Sequence, residues 1–580
     1  MRYGWAMNAR RWAVGLGVLL TSAACRRPAP PPADLIIAHA RRLEAPDREL
    51  SLAARDGRIV ALGDPAQVAR YRGPATRIFD AAGATVLPGW VDAHLHLRHL
   101  GRALRELDLA GCDLAETLRR LEQALASSPP DTLLRGRGWD QNLWSEADCP
   151  AEVPTCLDSA GFPRRSLLAS VAPKRRVLLE RVDGHALWVS PALLDAAELS
   201  GETEDPAGGQ ILRGTERVPS GVLVDRAMDL VEAQVPDDAE EEIRADLLAA
   251  QSHLLALGLT GAHDMGMSPE TLEVIRALDA EAKLELRLDI YLWGNDAEDL
   301  EALLDGVKRP EGRRFRVVGV KLMADGALGS RGAALLEPYA DAEHRGTLVL
   351  DAAELRERMR IAHERGYQIA VHAIGDRANR VTLDAFEAVL GDALRDARPR
   401  LEHAQILDSK DLGRVGALGV VASMQPIHAV SDLPWAGARL GPDRLEGAYA
   451  WETLRTSGAT LAFGSDAPVE PPDVRRGLKA AVFREVAGAP HSPEQRLELG
   501  AALRAYSWGA AWASRREAEL GALERGKLAD LTLVTGPNDL SSRTGRDEVE
   551  LSATVIGAAV VWTSSTARKR RGSPVQLPAR

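Results

Sequence analysis

Cysteine is scarce in this chain of 580 residues: four occur, Cys25, Cys112, Cys149 and Cys156. None has a partner at metal-binding spacing, which excludes a zinc site built on cysteine. Long apolar runs are missing as well. The stretch Trp12 to Leu20 is too short to cross a bilayer as a helix. Dense Lys/Arg runs are absent from the body of the chain, and the net charge is −11 with a sequence pI near 5.7. A nucleic-acid partner is therefore not expected, and ARKRRG near the C-terminus reads as a solvated tail.

What is present begins with a targeting segment. Arg10 and Arg11 precede the apolar stretch, and TSAA and Cys25 follow it, the layout of a signal peptide over residues 1–24. TSAAC resembles a bacterial lipoprotein cleavage site with Cys25 as the lipidated residue, which implies an exported, periplasmic, membrane-anchored protein. Ser22 stands where leucine is commoner, so ordinary secretion and twin-arginine export remain open. Residues 25–33 are proline-rich and form a stiff tether. In an oxidising compartment Cys149 and Cys156 can close a small disulfide loop and leave Cys112 unpaired. Otherwise the three are unrelated thiols.

The length exceeds one core, so several domains are expected. Short strand-like runs broken by turns, LIIAHA, LSLAARDGRIVALG and TRIFDAAGATV, fill residues 34–86, and similar runs occupy 515–565. The centre, 87–514, alternates short β-like runs with helical stretches such as Ala352 to Arg365 and Arg377 to Leu390, the pattern of a parallel α/β barrel. Residues from about 100 to 250 are too many for one barrel loop and imply an inserted subdomain. A tail, 566–580, ends the chain.

VLPGWVDAHLHL places His94 and His96 at alternate positions of an apolar run, where side chains i and i+2 share a strand face. Both imidazoles can hold one divalent ion. Alone, the pair is equally two histidines on a polar face. Further polar residues stand at or near the ends of later runs: Lys321 in FRVVGVK, His372 in YQIAVH, His403 in RLEHAQIL and Asp466 closing TLAFGSD. A barrel gathers such strand ends at its C-terminal mouth.

With these residues the chain resembles the amidohydrolase superfamily, in the family 3 branch of N-substituted formamide deformylase-like enzymes. GVKLMADGALGSRGA, AVHAIGDRA, LEHAQIL and FGSDAPVEP carry the resemblance, joined by RGRGWDQNLW at Arg135 to Trp144 and RVDGHALWVS at Arg181 to Ser190. The resemblance implies a (β/α)8 barrel, a small β-sandwich made from both chain ends and an insertion covering the barrel mouth. It implies two divalent ions, zinc by preference: His94 and His96 on one, His372 and His403 on the other, and Lys321 bridging as a carbamate. Asp466 would ligate metal, take the proton of the attacking water and pass it to the leaving nitrogen. The plainer readings are a Lys321–Asp325 ion pair and a turn aspartate at 466.

A zinc ion lowers the pKa of bound water to about 7, which suits hydrolysis, and the resemblance implies a non-peptide carbon–nitrogen bond in an amide, formamide or cyclic amide as the bond cleaved. An ester or lactone hydrolase, or a surface-anchored binding protein without turnover, would use the same ligands. His185, Arg331, His428 and Trp139 are candidate substrate contacts, each with an ordinary structural alternative. A small amide-like substrate is the expected partner, and a homodimer is compatible with this reading.

Overall fold

A computed structural model describes residues 30–129, 133–214, 217–235, 239–295, 299–486, 488–536 and 549–570. Cys25, the signal segment and the residues from 571 onward lie outside that range. Eight strands form the central parallel sheet in chain order: β1 (Trp90–Leu95), β2 (Leu259–Met267), β3 (Arg287–Trp293), β4 (Phe315–Met323), β5 (Gln368–Ala373), β6 (Arg400–His403), β7 (Val421–Met424) and β8 (Thr460–Phe463). They are almost wholly buried, which is why their sequences read as near-continuous apolar runs and not as alternating ones. Helices follow most strands, and several start on side-chain caps: Asp351 accepts from the amides of Ala353 and Glu354, and Ser268 from that of Thr271. Each cap satisfies a donor that the first turn leaves free.

No strand ladder joins β8 to β1. The gap is closed by the loop after β8: the amide of Asp466 donates to the His94 carbonyl at 2.7 Å, and that of His96 to the Ala467 carbonyl at 2.8 Å. The fold class is thus the expected α/β barrel, closed through loop backbone at the point where the site forms.

The run VLPGWVDAHLHL is two strands, not one. Thr85–Pro88 pairs with Leu531–Thr535 in a sheet made from both chain ends, and β1 begins at Trp90. Gly89 lies between them, where a Cβ would come within 2.3 Å of Thr260 Oγ1. The end sheet has eight strands and encloses a core that includes Leu35, Ile37, Leu52, Leu531 and Val555. It is fixed to the barrel by Arg287, which donates to Asp530 from Nε at 2.5 Å and from Nη2 at 3.1 Å. Thr532 Oγ1 also donates to the Gly258 carbonyl at 2.7 Å.

Between β1 and β2 the chain builds a six-stranded sheet from Leu107–Asp108 to Pro219–Asp225. Cys149 and Cys156 form a disulfide in this insert, and Cys112 is free and buried. No helix among the described residues is long and apolar enough to cross a membrane.

A candidate metal centre at the barrel mouth

Five strand ends bring the polar residues together. His94 is the fifth residue of β1, and His96 stands one residue beyond that strand. Their Nε2 atoms each lie 3.2 Å from Asp466 Oδ1. The ring of His403 sits 4.7 Å from that of His94 and 4.5 Å from that of His372, centroid to centroid. His428 stacks beside His403 at 6.2 Å, and its Nε2 is 4.0 Å from Asp466 Oδ2. Two sets of atoms, from His94, His96 and Asp466 and from His403, His428 and Asp466, are each close enough to share one ion.

Backbone geometry aims two of these groups. His403 has φ 70° and Asp466 φ 60°, in the left-handed region that costs an ordinary residue energy and recurs at functional sites. Arg400 and Glu402 face the barrel interior, so strict alternation would send His403 outward with Leu401. The left-handed turn at 403 brings it back to the cluster.

Two of the rings, those of His94 and His403, are oriented from behind. His94 Nδ1 is 2.7 Å from Glu402 Oε2, and Glu402 accepts from Arg400 Nε at 2.7 Å. His403 Nδ1 is 2.9 Å from Gln425 Oε1. These contacts leave Nε2 of both rings for a ligand, the arrangement by which outer groups fix the tautomer of metal-binding histidines. His94 Nε2 is buried without an aligned hydrogen-bond partner. Burial, with the cations around them, keeps His372 and His403 far below the usual imidazole range, in the neutral form that binds metal. Burial would raise Asp466, but His94, His96 and His403 outweigh it and hold the carboxylate ionised.

Lys321 is 2 % exposed on β4. Burial pushes its amine down to about 8 against the pull of Glu402 and Asp466. The Lys321–Asp325 pair does not form: Asp325 instead accepts the amides of Ala334, Ile374 and Gly375 at 2.8–3.0 Å. Neutral imidazoles, an orphaned nitrogen, an ionised carboxylate and a lysine with no carboxylate in ion-pair range among the described residues make a donor set that fits divalent metal.

The remaining candidates separate. His185 reaches the cluster, its ring 5.5 Å from that of His372. Arg331 is held by Asp341 at 3.0 Å. Trp139 is fully buried in the insert core with Trp144 and Trp188, and its indole N–H donates to the Leu179 carbonyl at 2.9 Å. Its ring packs against Trp144, Phe162 and Trp188, so its apolar surface stabilises the insert. Asp92, inside the first motif, has a role the motif did not reveal. It accepts from the Ser465 amide at 3.0 Å and hydroxyl at 2.6 Å, tying β1 to the loop that carries Asp466.

Comparison with known proteins gives the family. Residues 77–562 match the model of the family described as "Amidohydrolase family". The chain is 32% identical to the putative amidohydrolase YtcJ of Bacillus subtilis, over 90% of this chain and 98% of that one. It is 28% identical to the N-substituted formamide deformylase of Arthrobacter pascens, over 82% and 88% of the two chains. A solved structure of an uncharacterized metal-dependent hydrolase from Pyrococcus horikoshii superposes with a TM-score of 0.70 at 26% identity, covering 88% of this chain and 98% of that one.

Proposed function

The chain is a hydrolase of the amidohydrolase family, and from that footing we propose that it hydrolyses a non-peptide carbon–nitrogen bond in a small amide, formamide or cyclic amide. The observation that carries the proposal is the meeting of His94, His96, His372, His403 and Asp466 at one mouth, with outer hydrogen bonds that leave the Nε2 atoms of His94 and His403 free. His94, His96 and Asp466 would hold one divalent ion and His372 and His403 a second, zinc being suited to this nitrogen and oxygen set. Lys321, whose buried neutral amine takes up CO2 with loss of a proton, would add an anionic oxygen ligand. When bound, the metal supplies the Lewis acidity that makes water nucleophilic near neutral pH.

The chain's own groups do the rest. Asp466 uses Oδ1 toward His94 and His96 and keeps Oδ2 for the proton of the attacking water. The water oxygen adds to the carbonyl carbon and the carbon–nitrogen bond breaks. The proton passes from Asp466 to the leaving nitrogen, giving a carboxylic acid and an amine. The relative from Arthrobacter pascens, named as a deformylase of N-substituted formamides, supports this substrate class.

Metal-loaded protein screened against N-substituted formamides, hydantoins and lactones tests the reading. Amide or formamide turnover is expected, and Asp466→Asn should lower it by at least about a hundredfold. Turnover confined to lactones would reassign the enzyme as an ester hydrolase. Near-normal activity of Asp466→Asn would remove its proton-transfer role. We further propose that the protein works outside the cytoplasm on a lipid anchor at Cys25. The Cys149–Cys156 disulfide in the insert supports an oxidising compartment.

A further inference from the structure

The insert reaches the metal-binding cluster at one point. The rings of His96, His94, His403 and His372 form a row with successive centroids 5.6, 4.7 and 4.5 Å apart. His185, from the turn between two insert strands, extends that row by one more ring at the His372 end, 5.5 Å away. Its Nδ1 is 2.7 Å from Asp225 Oδ1. Its Nε2 makes no protein hydrogen bond among the described residues, and the side chain keeps 15 % exposure.

The pair sits in a place shaped for it. Asp225 ends the insert strand Pro219–Asp225, and its carboxylate packs on the loop that follows Lys321. A Cβ on Gly326 would come within 2.8 Å of Asp225 Oδ2, and one on Gly332 within 2.6 Å. Neither glycine has a positive φ, so it is space for Asp225, and not backbone freedom, that these two positions supply. The turn bearing His185 is braced as well. Asp183 accepts the His185 amide at 3.1 Å, and buried Arg181 donates to Asp183, to Asp140 at 2.9 Å and to Gln141 at 2.7 Å. A contact serving only to attach the insert would not require an oriented ring whose Nε2 is left without a protein partner among the described residues beside the cluster.

We infer that the insert completes the active site through His185, whose Nε2 hydrogen-bonds the substrate's reacting amide while Asp225 acts as the positioning residue for the ring. The inference rests on the metal-hydrolase reading above. It makes the insert part of substrate recognition and not merely a cover over the barrel. A ring fixed at Nδ1 presents one nitrogen at one angle, and such preorganisation adds affinity by removing the cost of ordering on binding.

Benzohydroxamic acid, which carries a carbonyl and an N–H as the reacting amide does, is the probe. Its affinity for the zinc-loaded full chain is measured by titration calorimetry, with metal content by elemental analysis on the same samples. His185→Asn and Gly332→Ala should keep wild-type metal content and bind the probe at least about tenfold more weakly. Gly332→Ala acts by displacing Asp225 with both dyad residues intact. Unchanged affinity in both variants at normal metal content would overturn this inference and leave the metal reading standing. Loss of metal in His185→Asn would overturn it too, by making His185 a ligand. A wild type that binds neither metal nor probe would overturn both readings.

Discussion

Arg400 is fully buried beneath the cluster and divides its donors among five strands. It binds Glu402 on its own strand, Ala93 O on β1 at 2.6 Å, His263 Nδ1 on β2 at 2.8 Å, Tyr291 OH on β3 at 3.1 Å and Ser423 Oγ on β7 at 3.0 Å. A buried guanidinium is tolerated only when its donors are met this completely. The contact with His263 requires a neutral acceptor, and burial together with Arg400 pushes that imidazole down to about 3. Because the folded-state value lies below the unfolded one of about 6.5, the stability this residue contributes is fully present above pH 6.5. It is lost as the pH falls toward 3. Between pH 6 and 4, wild type should therefore lose stability more steeply than His263→Gln, by on the order of 1 kcal/mol per pH unit, measured by urea unfolding. Nitrogen NMR should find His263 neutral at pH 5, and a midpoint near 6.5 would contradict the assignment. In the sequence His263 has no ligand-like context, and Glu402 lies inside RLEHAQIL with no sign of its role. His94, the partner of Glu402, stands 308 positions away; only barrel closure makes them neighbours.

At the level of elements, the seam between β8 and β1 is tightly constrained. Gly464 passes so close to β1 that a Cβ there would lie 2.5 Å from the His94 amide and 2.7 Å from Asp92 Oδ1. Gly464→Ala must push apart the two segments that carry His94 and Asp466. It should destabilise the fold by about 1–3 kcal/mol and lower metal content together. Denaturation and elemental analysis check both, and a variant unchanged in each would show that the seam does not set the site. The strands bearing Lys321, His372 and His403 are legible because each places a polar residue near the end of a short apolar run. The break at Gly89 is not, since hydropathy continues from Val86 through Leu95 and only the close approach of Thr260 divides the run. Closure through loop carbonyls leaves no hydropathy signature either.

Over the whole molecule, the alternation of strands and helices discloses the barrel, and an overlong connection after β1 discloses the insert. The insert's own sheet is obscure because its strands are short and begin with a two-residue element, Leu107–Asp108. Its tryptophans resemble a pocket lining in sequence yet pack on each other, with Trp139 and Trp144 centroids 5.7 Å apart, since apolar residues without positional context do not tell core from site. Export belongs to this scale as well. Wild type should fractionate with membranes and Cys25→Ala should be released or remain uncleaved; a soluble wild type whose mature N-terminus is not Cys25 would replace the lipid anchor with a plain secretory signal. The convergent histidines and Asp466 are proposed to form a metal centre. Elemental analysis of the purified chain, after loading with zinc and removal of free ion, tests it most directly. One to two divalent ions per chain are expected, falling in His94→Ala and in His403→Ala; a wild type that retains none, or variants that retain as much as wild type, would contradict it.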